Sequence, residues 1–96
     1  MSRFAERFNT LMNAHEDSLT GLGKKIGVSR QTLSNLSLGR EPKLSMAILI
    51  ADHYKVPLDW IVGRTEKQPL SLTKAYIKKQ DKILKRIEKE RLEGRI

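Results

Sequence analysis

Ser18-Leu19-Thr20-Gly21-Leu22-Gly23-Lys24-Lys25-Ile26-Gly27-Val28-Ser29-Arg30-Gln31-Thr32-Leu33-Ser34-Asn35-Leu36-Ser37-Leu38-Gly39-Arg40 is the stretch whose reading decides the fold. It divides into two short helices around a tight corner. Ser18 suits an N-cap, and Leu22 and Ile26 stand four apart on one helical face. Gly27 follows directly, where a glycine in the left-handed region ends a helix at little steric cost. Val28 is apolar and can fill the corner. Ser29 offers a second N-cap, Leu33 and Leu36 give the next helix its buried side, and Gly39 closes it. Gly23 sits in mid-helix, which costs about 1 kcal/mol relative to alanine. It predicts a close crossing of the two helices that a side chain would prevent. Gly21 is a second glycine in the same helix with no comparable packing reason.

The third helix of the chain, Ser29–Leu38, turns Arg30, Gln31, Thr32, Ser34 and Asn35 outward. No aspartate or glutamate occurs from Ser18 to Arg40, whereas Lys24, Lys25, Arg30 and Arg40 do. Such a face can hydrogen-bond base edges, and its cations and lack of carboxylates suit a phosphate-lined groove. Arg30 can donate twice to guanine O6 and N7, Gln31 or Asn35 can pair bidentately with adenine, and the Thr32 methyl can meet a thymine methyl. Ser29, Ser34, Arg40 and Lys43 are candidates for phosphate contacts, which position without reading sequence. For each of them a solvated surface role is the plain alternative, as it is for Lys24 and Lys25.

Leu22-Gly23, Ile26-Gly27-Val28-Ser29-Arg30-Gln31-Thr32-Leu33-Ser34, Leu36 and Gly39-Arg40 resemble the Cro/CI-type, or XRE, helix-turn-helix family. The likeness runs on through Pro42, Leu44, Leu49-Ile50-Ala51 and Val56-Pro57-Leu58-Asp59-Trp60-Ile61-Val62-Gly63. It covers residues 4 to 65 without insertion. The resemblance implies an all-α fold, a five-helix Cro/CI-like bundle, here followed by a C-terminal amphipathic helix. It also implies a small DNA-binding transcriptional regulator. One departure is Leu19, where the family usually carries a polar residue that grips the DNA backbone.

The chain has 96 residues, enough for one small domain and an extension. It carries 19 Lys and Arg against 11 Asp and Glu, a net charge of +8. Residues 1–69 account for +3 and residues 70–96 for +5, so the excess is partly in the tail. A basic balance favours polyanionic partners. There is no cysteine, which removes disulfides and thiolate metal sites. His15 and His53 lack neighbours at ligand spacing, so no metal and no cofactor are expected. No apolar run approaches the roughly 20 residues of a membrane span. The amphipathic N-terminus does not read as a secretory signal, and a cytoplasmic location is expected. Nothing resembles a nucleophile–base pair or a carboxylate dyad, so an enzyme is not expected.

A first helix is predicted from Ser2, with Glu6 in its first turn and Phe4, Phe8 and Leu11 as one wall of the core. Ser45 is predicted to cap the fourth helix, with Leu44 ahead of it as a staple. Pro57 suits the start of a short fifth helix ending at Gly63, where Trp60 and Ile61 complete the core. The domain is expected to span residues 1–65, a linker 66–70, and a C-terminal helix 71–96.

In that last helix Ile77, Gln80, Leu84, Ile87 and Arg91 follow a 3-4-3-4 spacing, broadened by Tyr76 and Ile83. Three uses are open for Tyr76, Ile77, Ile83, Leu84 and Ile87: self-association, packing back on the domain, or docking to another protein or nucleic acid. The expectation is a homodimeric repressor reading a palindromic double-stranded DNA operator. The alternative is an antitoxin-type interaction protein, whose C-terminal helix holds a toxin or antagonist while the bundle holds DNA.

Overall fold

The computed structural model describes residues 3–93, with side chains to residue 83 in the last helix. Six helices follow in order: α1 (Arg3–Ala14), α2 (Leu19–Ile26), α3 (Arg30–Ser37), α4 (Leu44–Tyr54), α5 (Leu58–Ile61) and α6 (Leu70–Glu93). The all-α architecture is the expected one: a five-helix bundle and a C-terminal helix. The expected start at Ser2 lies outside the described residues.

Burial of apolar surface assembles the bundle. Phe4, Phe8 and Leu11 on α1 are buried, and the two phenylalanine rings stack at 5.8 Å. They meet Leu22, Leu33, Leu36, Ile50, Trp60 and Ile61 in one cluster, to which α2, α3, α4 and α5 all contribute. Leu19 packs against this cluster, so the residue that departs from the family pattern serves the core.

The corner forms from local chemistry. The Ser18 hydroxyl accepts from the Gly21 amide at 3.0 Å, and Gly27 takes φ 73°. Its N–H and that of Val28 both bond the Gly23 carbonyl. Ser29 then caps α3 by accepting from the Thr32 amide at 3.2 Å. The close approach at Gly23 is to the corner itself. A Cβ there would stand 2.5 Å from the Val28 carbonyl oxygen and 3.6 Å from Leu33 Cδ1. Gly21 has a local setting too, because a Cβ would lie 3.0 Å from the Ser18 hydroxyl that caps α2.

The start of α4 differs from expectation. Its N-cap is Lys43, whose carbonyl accepts from Ala47 and whose side chain makes no cap bond. Leu44 and Ser45 are therefore already helical, and Ser45 is not the cap. The backbone is still extended at Lys43, ψ 153°, and turns helical at Leu44, so the helix starts from the backbone two residues ahead of the place a Ser45 cap would give it.

Polar contacts join distant segments. Asn9 Nδ2 donates to the Ser37 carbonyl at 2.9 Å, fixing α1 to the end of α3. The Arg7 guanidinium stacks 4.6 Å from the Trp60 ring centre, and Arg7 and Arg3 both pair with Glu66, at 3.0 and 2.7 Å. Asp17 accepts from Tyr54 Oη at 2.8 Å and from Lys25 Nζ at 2.9 Å. Among the described residues no buried side-chain polar atom lacks a partner.

α6 begins at Leu70 and packs against α1. Leu72 and Ala75 are buried in the same cluster as Phe8 and Leu22, so the root of the C-terminal helix shares the bundle's core. Ser71 Oγ donates to the Lys55 carbonyl, Lys79 Nζ to the Asn13 carbonyl, and Lys82 pairs with Glu16 at 3.2 Å. Leu72, Ala75, Lys79 and Lys82 thus form an inner stripe at 3-4-3 spacing. Tyr76, Ile77 and Ile83 are exposed. The side chains of Leu84 and Ile87 lie outside the described residues.

Candidate nucleic-acid interface

The corner places α3 with Leu33 and Leu36 inward, which turns the opposite side outward. Arg30 and Gln31 are exposed there, and Thr32, Ser34 and Asn35 are half-buried. No acidic residue stands in the first turn of α2 or α3. The positive end of α3 is therefore uncompensated by a carboxylate of its own first turn, a favourable setting for an anion, whereas Asp17 stands just ahead of the cap of α2. Lys24 is exposed, whereas Lys25 is held by the Asp17 carboxylate 2.9 Å away.

Beside α3 runs an open groove of about 440 Å³, walled by the α3–α4 connection and the first turn of α4. Thr32 and Asn35 line it from α3, and Arg40 and Lys43 from the connection. Of the expected site residues, the structure brings these four together around one groove. Ser29 is exposed at the start of α3 as its cap, and its Oγ lies 2.8 Å from Thr32 Oγ1. The Thr32 hydroxyl is thereby turned toward the cap. Ser34 does not line the groove; its carbonyl accepts from Ser37 Oγ. Gln31 Nε2 donates to Asn35 Oδ1 at 3.2 Å, joining the two amides of the outward face.

Glu41 lines the same groove and was absent from the expected site. It is the first carboxylate after the acid-free stretch and lies between Arg40 and Lys43 in sequence. Its position there was readable; its place in the groove depends on how the connection folds over α4.

The corner is buttressed from behind by ionisable groups. Burial of the Asp17 carboxyl favours its neutral form, but the bonds from Lys25 and Tyr54 outweigh this and hold it below the usual range. Burial, then the bond to Asp17, push the Tyr54 hydroxyl well above its ordinary value. Burial lowers His15, against the opposing pull of Asp17 and with help from His53, Lys25 and Lys78. The His15 and His53 rings each lie 4.9 Å from the Tyr54 ring, so two residues remote in sequence meet at one tyrosine. Among the described residues no group of His, Asp or Glu could hold a metal ion, and no helix is long and apolar enough to cross a membrane.

A helix-turn-helix family model matches residues 10–61, more than half of the chain. The chain belongs to the Cro/CI-type, or XRE, helix-turn-helix family. The matched span runs from α1 to the end of α5, and so contains the whole corner, α3 and the groove beside it. Comparison with curated proteins and with solved structures gave no match. As an XRE-family protein the chain is a DNA-binding transcription regulator, and α3 is the helix that follows its turn.

Proposed function

We propose that the protein is a dimeric repressor that recognises a palindromic operator by placing α3 in the major groove. The single observation that carries this reading is the outward surface of α3. It presents Arg30, Gln31 and Asn35 with no carboxylate on the helix itself, beside a groove edged by Arg40 and Lys43, with Glu41 between them. Arg30 is the candidate for guanine, Gln31 and Asn35 for amide-reading of base edges, and Thr32 for a thymine methyl. Ser29, Ser34, Arg40 and Lys43 are the candidates for phosphate contact, with Ser34 the weakest of them because it stands off the groove.

Two copies reading two half-sites one helical turn apart, about 34 Å, would match the symmetry of a palindrome. The exposed apolar residues Tyr76, Ile77 and Ile83 on α6 support a seam there. Bound across promoter DNA in the cytoplasm, such a dimer represses by occlusion. The antitoxin-type alternative assigns the same α6 surface to a protein partner.

The test is selection of bound sequences from a random duplex pool at near-physiological salt. A palindrome with half-site centres about 10 base pairs apart supports dimeric recognition through α3. Absence of any enrichment overturns the reading. Sedimentation of the wild-type protein and of Ile77→Glu separates the two uses of α6. A wild-type dimer that Ile77→Glu converts to monomer supports self-association. A monomer that is unaffected by Ile77→Glu overturns the dimeric reading.

A further inference from the structure

A row of lysines runs along α6 outside the contacts that hold this helix to the bundle. Lys74, Lys78 and Lys82 stand at i, i+4 and i+8, one per turn and about 6 Å apart along the axis, and all three are exposed. Like charges at that spacing repel one another, whereas an anionic chain laid along them is attracted by each. Residues 70–83 contain four lysines and one carboxylate, Asp81. Lys79 is the inward one, donating to the Asn13 carbonyl, and Lys82 pairs with Glu16 while remaining exposed. Among the described residues Lys74 and Lys78 have no ion-pair partner. At 100° per residue the row flanks the buried stripe of Leu72 and Ala75 on the side away from Tyr76 and Ile83.

The core fixes where this row stands. Leu72 and Ala75 anchor α6 in the bundle. Lys78, Lys79 and Lys82 line a cleft of about 170 Å³ with Ala14, His15 and Glu16, between α6 and the α1–α2 connection. That connection runs through Asp17 into Ser18, the cap of α2. Both carboxylates beside the row are occupied, Glu16 by Lys82 and Asp17 by Lys25. When the helix after the turn lies in the major groove, the helix before it crosses the DNA backbone. The lysine row therefore stands beside the start of the crossing helix.

Resting on the reading that α3 enters the major groove, we propose that the lysine row of α6 is a second DNA-binding surface, which takes the duplex backbone beside the place where α2 crosses it. Its ligand is the phosphate backbone, contacted by Lys74 and Lys78 with Lys82 in support. A duplex carries one charge per about 1.7 Å of axis, so the row meets phosphates whatever the base sequence. The surface adds affinity at every site and discrimination at none. Asp81, three residues from Lys78 on the same flank, is the carboxylate that opposes it.

The experiment measures binding of the full chain to the selected operator and to a scrambled duplex over a salt series. The double variant Lys74→Gln, Lys78→Gln removes two charges that hold no partner, so it should melt and sediment as the wild type does. On both duplexes the slope of log affinity against log salt should fall by about 1.8, at about 0.9 per lost phosphate contact. The ratio of operator to scrambled affinity should not move. Lys74→Arg, Lys78→Arg should keep the wild-type slope. Asp81→Asn leaves every lysine in place and should raise affinity for both duplexes alike. Two outcomes overturn the surface while sparing the proposed function: a slope that the glutamine variant leaves unchanged, or a loss confined to the operator. A wild type that enriches no operator overturns the α3 reading instead, and the slope on the scrambled duplex still decides whether the row binds DNA.

Discussion

Tyr54 Oη donates a 2.8 Å hydrogen bond to the Asp17 carboxylate, tying the last turn of α4 to the residue that precedes the cap of α2. Asp17 is also held by Lys25 from the end of α2, so one carboxylate joins the α1–α2 connection, α2 and α4. Its side chain is only 8% exposed, which makes loss of a partner expensive. Tyr54→Phe keeps the ring and removes the donor. It should destabilise the fold by about 1.5–3 kcal/mol, the range for a hydrogen bond to a charged group. A melt should register roughly 4–8 °C for each kcal/mol in a domain of this size. An unchanged melting temperature would show that the bond contributes nothing net.

The same cluster sets an acid limit on stability. His15 has a folded pKa below its ordinary value of 6.5, and Asp17 one below 3.8. Both folded states bind protons less readily than the unfolded chain. Each contribution is therefore present above the ordinary value and is lost as pH falls through the folded one. Stability should decline first as pH drops below 6.5, and again below 3.8. Melting temperature against pH should show the first decline weakened in His15→Gln, with the second retained. Tyr54 is raised, so its contribution is present below its ordinary value of 10.0 and falls away above it. A His15→Gln profile that overlays the wild type would remove His15 from the account.

The two glycines of α2 make a matched pair. At Gly23 an added Cβ meets the Val28 carbonyl at 2.5 Å, and a backbone atom in a capped corner has nowhere to go. Overpacking of this kind costs typically about 1–3 kcal/mol, against a helix-propensity gain of about 1 kcal/mol. At Gly21 the neighbour is the Ser18 hydroxyl at 3.0 Å, which can rotate. There the propensity gain offsets any loosening of a cap worth about 1 kcal/mol. Gly23→Ala should therefore lower the melting temperature and weaken DNA binding, while Gly21→Ala should change both little. Equal effects at the two positions would mean that the corner yields as easily as the cap.

The reading face makes a prediction that separates base from phosphate contact. Arg30→Ala should weaken specific binding by about 1–3 kcal/mol and relax preference at one base position. Lys43→Ala should weaken all sequences alike and reduce the salt dependence of binding by about one counterion. Binding titrations over a salt series, on the selected operator and on a scrambled duplex, distinguish the two. Unchanged discrimination in Arg30→Ala would take Arg30 off the reading face.

What the sequence discloses follows from the range of the interactions involved. Ser18, Gly27 and Ser29 act on backbone within four residues, so the corner is written in local signals that a reader of the chain can follow. The outward character of α3 is local too, because Leu33 and Leu36 fix its buried side and the absence of acids is visible by inspection. Asp17 and Tyr54 are 37 residues apart, and no pattern joins them until α4 folds across α2. The cap of α4 misled because Ser45 is the better capping residue by type, whereas the extended backbone after Pro42 starts the helix two residues earlier. α6 carries two stripes at helical spacing. The one through Ile77 is the more apolar to Ile87, yet Leu72 and Ala75 are the residues that reach the core. Lysines continue their stripe, and pattern alone gives a lysine no credit for reaching Asn13 or Glu16.

Those two stripes give the last test. Leu72 is 2% exposed and belongs to the bundle's core, whereas Ile77 is 56% exposed on the other side of the same helix. Leu72→Ala removes buried methyl groups and leaves a cavity, and should cost about 2–5 kcal/mol. Ile77→Ala in the monomer should stay within about 0.5 kcal/mol, as surface substitutions do. The concentration dependence of the melt then reports on α6. If two copies associate through Ile77, the wild-type melting temperature rises with protein concentration and that of Ile77→Ala rises less. Leu72→Ala should lower the melting temperature at every concentration. Removal of everything after Lys67 should match or exceed it, because that cut strips Leu72 and Ala75 from the core along with the outer stripe. A truncated chain as stable as the full one would show that the root of α6 adds nothing to the bundle.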